Sequence, residues 1–379
     1  MKLDLPYGSA PYPLDLRDRE AFVVRPPAQA HPGPARELIA KAIDAPIGGA
    51  LPQLRAGDRV TLIVSDPTRA EPRAMFLALL RERLPDVRWT LAIATGTHGP
   101  CDPEHLGITH NSSWTVINHD GHRPDGLVDL GRTQRGTPVR VHRCVVDTDL
   151  VIATGCILPH YFAGFGAGAK ALFPGLGEAK AIRINHRLKQ EAQARAGVVD
   201  GNPVREDLEE AVALVQSPIF LVNGVNGPDG MVHAAVAGDV RAAFRAGADL
   251  ARPWFTVRSP RAPLVIASDR LPVTSSLYQA AKIAAAAAPL VADGGTLAIV
   301  AQCPDGTGPL DTVNEAIFRI GVLPRLPPGA RMVLVSGLPD EEVARTLLSP
   351  APSLDPVLAS TSGPVVVIPR ASQLICEPL

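Results

Sequence analysis

The chain has 379 residues, enough for two domains of ordinary size or one large one. Apolar residues make up 46% and charged residues 20%, so a real core can be buried, and aromatics at 4% leave Ala, Val, Leu and Ile to do most of the packing. A net charge of −1 supplies no field to attract nucleic acid or an anionic membrane, so the expected partner is a small molecule.

The opening stretch, MKLDLPYGSAPYPLDL, has no apolar core long enough for a signal peptide. The tract AAKIAAAAAPLV (280–291) is too short for a spanning helix and carries Lys282. Cys101, Cys144, Cys156, Cys303 and Cys376 are odd in number, far apart and without a CxxC pair, a pattern of reduced thiols rather than a disulfide framework. A cytoplasmic protein is expected.

Short β-branched runs recur, each followed by a glycine or polar turn and then an alanine-rich helical stretch. RVTLIVSD (59–66), RWTLAIATG (88–96), DLVIATG (149–155) and IFLVNGV (219–225) read as strands of a first part. APLVIASD (262–269), GTLAIVAQ (295–302), RMVLVSG (331–337) and PVVVIP (364–369) repeat the pattern in a second. Continuous apolar runs separated by helices predict parallel strands covered on both faces. Helical patterns fall at 71–84, 176–196, 204–216, 239–250, 275–290, 311–320 and 339–348. The segment VRSPRAPL (257–264) interrupts the pattern, which predicts an α/β chain of two domains with mainly parallel sheets, 1–258 and 262–379.

In open parallel sheets ligands bind outside the carboxyl ends of the strands, so the residues just after each strand matter most. The first strand is followed by SDPTR, with Asp66, Thr68 and Arg69, and the second by TGTHGP, with His98. After the third comes GCILPHYFAGFGAGAK, with His160 and Lys170, and the next helix carries His186 in INHRLK. A lone loop histidine is more often a hydrogen-bonded structural residue. Three histidines, an arginine and a lysine at one end of one sheet converge where a site needs them. Gly164, Gly166 and Gly168 permit positive φ and close backbone approach, and their N–H groups could cradle an anion. Lys170 is followed by Ala171, with no hydroxyl for magnesium, so a P-loop NTPase is not expected, and the GxGxxG spacing is also unmet. What remains is a lysine on a small-residue loop, suited to a covalent or tightly held cofactor.

In order, SDPTR, GTHGP, PHYFAGFGAGAK with its following PG, INHRL and SLYQAAK (276–282) resemble the motifs of the nickel-dependent lactate racemase family. The resemblance implies a racemase or epimerase of a 2-hydroxy acid with its active site in the interdomain cleft. It also implies a nickel-pincer nucleotide, pyridinium-3,5-bisthiocarboxylic acid mononucleotide nickel, loaded by dedicated biosynthetic enzymes. Carried across by motif, Lys170 is the lysine bonded to this cofactor, with Asp66, Thr68, Gly166 and Gly168 beside it, and His186 is the protein ligand on nickel. His98 and His160 are the two acid/base residues, and Arg69, Tyr278, Gln279 and Lys282 face the substrate, Arg69 and Lys282 on its carboxylate. The implied chemistry removes the Cα hydrogen as hydride while a histidine takes the hydroxyl proton, and each enantiomer needs its own base.

The sequence departs from the family's common pattern at Ala169 and Gly99, where basic residues usually stand, and no tryptophan lies in 262–379. These departures point to a different substrate pocket. The alternatives are a non-racemising enzyme of the same fold and a cofactor-binding protein without catalysis; the paired His98 and His160 favour the enzyme. QCPDGTG (302–308) reads as a turn facing the cleft. His105, His110, His119 and His122 crowd one region without a helical i, i+4 pair, which predicts surface or structural roles, with His119-Asp120 a candidate to orient a catalytic histidine.

Overall fold

The computed structural model describes residues 1–107 and 114–379; His110 lies outside them. The chain divides into two units. One comprises Gln29–Leu188 and Gly197–Trp254, the other Met1–Ala28, Lys189–Ala196 and Phe255–Leu379. The sequence pattern suggests a single cut near 258–262, whereas the chain passes between the units four times.

The Gln29–Leu188/Gly197–Trp254 unit is built on a six-stranded sheet. Its spatial order is Val232–Gly238, Ile219–Asn226, Leu150–Ile157, Arg59–Ser65, Arg88–Ala94, Trp114–Asn118. All neighbours are parallel except the pair Ile219–Asn226 and Val232–Gly238. Strands buried on both faces need apolar side chains at successive positions, and Val60, Leu62, Ile63 and Val64 are all buried. The alternate residues Val60, Leu62 and Val64 share one face and pack with Leu91 and Ile93 under Ile39 and Ile43 of α1 (Ala35–Asp44) and Phe76, Leu79 and Leu80 of α2 (Arg73–Arg83). The sheet grows outward in both directions from Arg59–Ser65 and Leu150–Ile157, so a topological switch point lies between these two central strands. SDPTR and the lysine loop leave from their carboxyl ends.

The other unit has its own six-stranded, all-parallel sheet: Ser349–Pro350, Arg331–Val335, Val291–Val300, Ala262–Ser268, Val365–Ile368, Ala21–Val23. Its edge strand comes from the start of the chain, and the hairpin Lys2–Pro6/Pro11–Asp15 packs Leu5 and Leu14 against Leu264, Ile266 and Val367. Both units are therefore α/β with mainly parallel sheets. The helix expected over 176–196 is shorter, α3 (Ala179–Arg187) with one tight turn to Gln190, because the next residues, Lys189–Ala196, belong to the other unit. The segment expected as a helix over 311–320 winds as a π-helix, Thr312–Arg319. Among the described residues no helix is long and apolar enough to cross a membrane.

Candidate active site

The loop after Arg59–Ser65 is held by two side chains that the sequence reading passed over. Glu71 accepts from the Ser65 N–H (2.8 Å) and from the Thr154 hydroxyl. Arg73 donates to the carbonyls of Ser65 (2.7 Å), Asp66 and Arg69 (2.7 Å). Thus braced, Asp66 is buried while Thr68 and Arg69 are exposed. Thr68 gives both its backbone N–H (2.9 Å) and its hydroxyl (2.5 Å) to Asp66 Oδ1. Asp66 Oδ2 meets His98 Nδ1 at 2.7 Å. Burial alone would raise the Asp66 carboxyl, but the bonds from His98 and Thr68 outweigh it and hold it below the ordinary carboxylate range.

A carboxylate only accepts hydrogen bonds, so in the neutral ring the His98 proton sits on Nδ1 and Nε2 presents a lone pair. The His98 turn is itself anchored: its N–H bonds to Thr95 O (2.9 Å), and the Gly96 N–H bonds to Gly175 O (2.9 Å) at the end of the lysine loop.

In the lysine loop Pro159–His160 pairs with Gly164–Phe165. The Ala163 N–H donates to His160 Nδ1 (3.2 Å), which places the neutral ring's proton on Nε2. The two histidines thus present different groups, an Nε2 lone pair from His98 and an Nε2–H from His160. Phe162, buried, is the residue around which the loop gathers. Its ring lies edge-on to His160 (4.5 Å) and at 74° to His186 (5.0 Å), with Lys170 Nζ 5.8 Å from its centre. His160, Lys170 and His186 are brought together by one aromatic side chain. The only sequence signal for it was an aromatic pair, Tyr161-Phe162, in a chain poor in aromatics.

Gly168 has φ +65°, and a Cβ there would lie 2.6 Å from the Phe244 ring, so glycine is required. The anion cradle expected of these glycines is not formed by Gly166 and Gly168: their N–H groups bond to Leu158 O (2.8 Å) and Asn223 Oδ1 (3.0 Å). What Gly168 provides is close packing against Phe244. His186 lies in the last turn of α3. The preceding residue, Asn185, donates to the buried carboxylate of Asp207 (2.8 Å), which also accepts from Thr133 (2.5 Å) and Thr137 (2.7 Å).

Tyr278, Gln279 and Lys282 belong to the other unit, on the helix Leu277–Ala287, where Lys282 Nζ donates to Gln279 Oε1 (2.5 Å). The first amides of this helix, on Leu277 and Tyr278, donate to Gly306 O and Thr307 O (both 3.1 Å), so the 302–308 turn fixes where it begins. His119 is buried with Nε2 on Gly177 O (3.0 Å), and burial pushes its imidazole below the ordinary value. Asp120 Oδ1 accepts from the His122 N–H (3.0 Å), and among the described residues no hydrogen bond links Asp120 to a catalytic candidate. Among the described residues no three His, Cys, Asp or Glu side chains gather as metal ligands.

Two α/β units with mainly parallel sheets, one of them carrying histidines and a lysine on the loops outside its strand ends, have the layout of an α/β enzyme. The sequence model of the lactate racemase N-terminal domain matches residues 7–197. The chain is 28% identical over 348 residues to lactate racemase of Thermoanaerobacterium thermosaccharolyticum, covering 84% of this chain and 81% of that protein. It is 30% identical over 288 residues to lactate racemase of Lactiplantibacillus plantarum, covering 72% and 67%. In fold it is similar to the lactate racemase apoprotein of T. thermosaccharolyticum, with TM-score 0.87 at 23% identity over 100% of both chains. A Thermotoga maritima protein is similar at TM-score 0.64 and 15% identity, over 91% and 97%. The chain belongs to the lactate racemase family and is an isomerase.

Proposed function

We propose that the protein is a racemase or epimerase of a 2-hydroxy acid that works through a nickel-pincer nucleotide joined to Lys170. The observation that carries this reading is the grouping of His160, Lys170 and His186 around Phe162. The donor set fits the group. One histidine is too few for a metal centre made by protein alone, and suits a metal whose other donors arrive on an organic cofactor. Lys170 Nζ lies 5.8 Å from the Phe162 ring centre, beside the two histidines and on the loop where the resemblance places the covalent link. Lys170 would hold the group covalently and His186 would ligate its nickel, with cofactor-biosynthetic enzymes as the loading partners. When bound, the group supplies an electron-poor ring that takes the Cα hydrogen as hydride and returns it.

The chain's own residues handle the proton. His98 Nε2, with its lone pair fixed by Asp66, accepts the substrate hydroxyl proton, and the Asp66 carboxylate stabilises the imidazolium that forms. His160 Nε2–H hydrogen-bonds the oxygen of the transient 2-keto acid, and the His98 imidazolium returns the proton once hydride has come back; the resemblance makes His160 the base for the other enantiomer, which needs its ring protonated on Nδ1 instead. The resemblance assigns Arg69 and Lys282 to the substrate carboxylate, where a guanidinium can bind in a bidentate manner, and Tyr278 and Gln279 to the same substrate. Two local features support a substrate pocket unlike the family's common one. Ala169, a bare methyl, is 2% exposed, and Gly99 has φ +82°, a conformation arginine rarely adopts.

Intact-mass measurement of the protein co-expressed with the pincer-cofactor biosynthetic enzymes, beside Lys170→Ala, tests the reading. An adduct on the wild type and none on the variant is expected. An adduct of equal mass on both would refute the lysine assignment.

A further inference from the structure

Arg205 lies in the first turn of α4 (Pro203–Ala213) and is completely buried, yet its hydrogen bonds go to main-chain carbonyls rather than to an acid. Nε and Nη2 donate to Ala163 O (3.3 and 3.2 Å), Nη2 also to Phe165 O, and Nη1 to Ala167 O (3.4 Å). The guanidinium lies over the Phe244 ring at 4.1 Å, the same ring that abuts Gly168. Burial pushes the group down to about 10, so it is still a cation at neutral pH. A buried charge is costly to keep, and this one is held by the main-chain carbonyls of a single segment, 163–167.

The carbonyls of Ala163, Phe165 and Ala167 all reach the guanidinium, although the segment turns at Gly164 (φ +72°), where the Phe165 N–H bonds to Ala163 O (2.9 Å). Ala167 has φ +60° and ψ −157°, a strained conformation for a residue with a Cβ. Arg205 holds its carbonyl, and Asn223 holds the next N–H. Immediately beyond, the tight turn Gly168–Ala171 carries Lys170. The α4 cap reinforces the arrangement: Asn202 accepts from the N–H groups of Val204 and Arg205 (3.1 Å each) and donates to Phe162 O (3.0 Å).

We propose that Arg205 is the positioning residue of the lysine loop, fixing through three carbonyls and the strained Ala167 the backbone path that presents the Lys170 amine for covalent attachment of the cofactor. This rests on the assignment of Lys170 to the cofactor. Lysine cannot replace it, because one ammonium cannot fork over three carbonyls or lie flat on Phe244.

The test uses full-length apoprotein, with Arg205→Met and Arg205→Lys. Trace acetylation with acetic anhydride is read by peptide mass spectrometry as the Lys170 rate relative to exposed Lys41, with buried Lys189 of the other unit as control. In Arg205→Met the Lys170 ratio should rise about tenfold as the loop opens, with Lys189 within about twofold and Arg205→Lys intermediate. An unchanged Lys170 ratio overturns the proposal, and so does a joint rise of Lys170 and Lys189, which would make Arg205 a general stability residue. If the methionine variant does not fold, the lysine variant is judged by the same ratios. In cells making the cofactor, the variant's covalent adduct should fall about tenfold, and an undiminished adduct overturns the proposal. A wild type without adduct refutes the assignment of Lys170 instead, and the labelling ratios still judge Arg205.

Discussion

Replacing Asp66 by asparagine changes one atom and, through the surrounding hydrogen bonds, the protonation of His98. Oδ1 accepts two bonds from Thr68, so the amide oxygen must stay there and the new NH2 must take the place of Oδ2, 2.7 Å from His98 Nδ1. Two donors would then face each other unless the imidazole moves its proton to Nε2. That shift removes the lone pair from the side offered to substrate and removes the negative charge that stabilises the imidazolium. Loss of a positioned general base corresponds to about 10²–10⁴ in rate. The expected result for Asp66→Asn is therefore a fall of that size in kcat for racemisation, with an unchanged covalent adduct and unchanged nickel content. Chiral chromatography of product formed from each enantiomer of a substrate it inverts measures the rate, and intact mass measures loading. A kcat within about threefold of wild type would refute the role given to the Asp66–His98 pair. The same pair sets a pH dependence of stability. Because the folded carboxyl is held below its unfolded value of about 3.9, its contribution is fully present above that pH and is lost as pH falls through the lower folded value. Asp66→Asn should flatten acid denaturation in that window, which urea titrations across pH would measure.

His160→Ala should abolish racemisation while leaving the adduct in place; a variant that still inverts substrate at the wild-type rate would remove His160 from the mechanism. His186→Ala should lower bound nickel, measured by metal analysis of the loaded protein, and unchanged stoichiometry would exclude it as ligand. Gly168→Ala puts a methyl 2.6 Å from Phe244 at positive φ, and should destabilise by about 2 kcal/mol, a fall of about 4–8 °C in Tm by calorimetry for a unit of this size.

Much of this protein is legible in one dimension. The eight strands read from continuous apolar runs are all present, because a strand covered on both faces needs apolar side chains at successive positions, and that is a local property of sequence. The polar residues just after the strands were legible for the same reason, since the end of a buried strand is where polar side chains can first reach solvent or ligand. What the sequence could not provide was partnership. Ala21–Val23 completes a sheet against Val365–Ile368, and Lys189–Ala196 leaves one unit for the other; neither is written in local composition. The anion cradle expected of Gly166 and Gly168 failed because their N–H groups are taken by Leu158 O, earlier in the same loop, and by Asn223 Oδ1 on the strand Ile219–Asn226.

Within the site, residue type identified His98, His160, Lys170 and His186 as chemically able. Tertiary structure alone decided that Asp66 orients His98, that Phe162 gathers the other three, and that Arg205 and Asp207 brace the segments carrying Lys170 and His186. A side chain's chemistry travels with its residue, but its protonation, partners and reach depend on groups that the chain brings beside it only when folded.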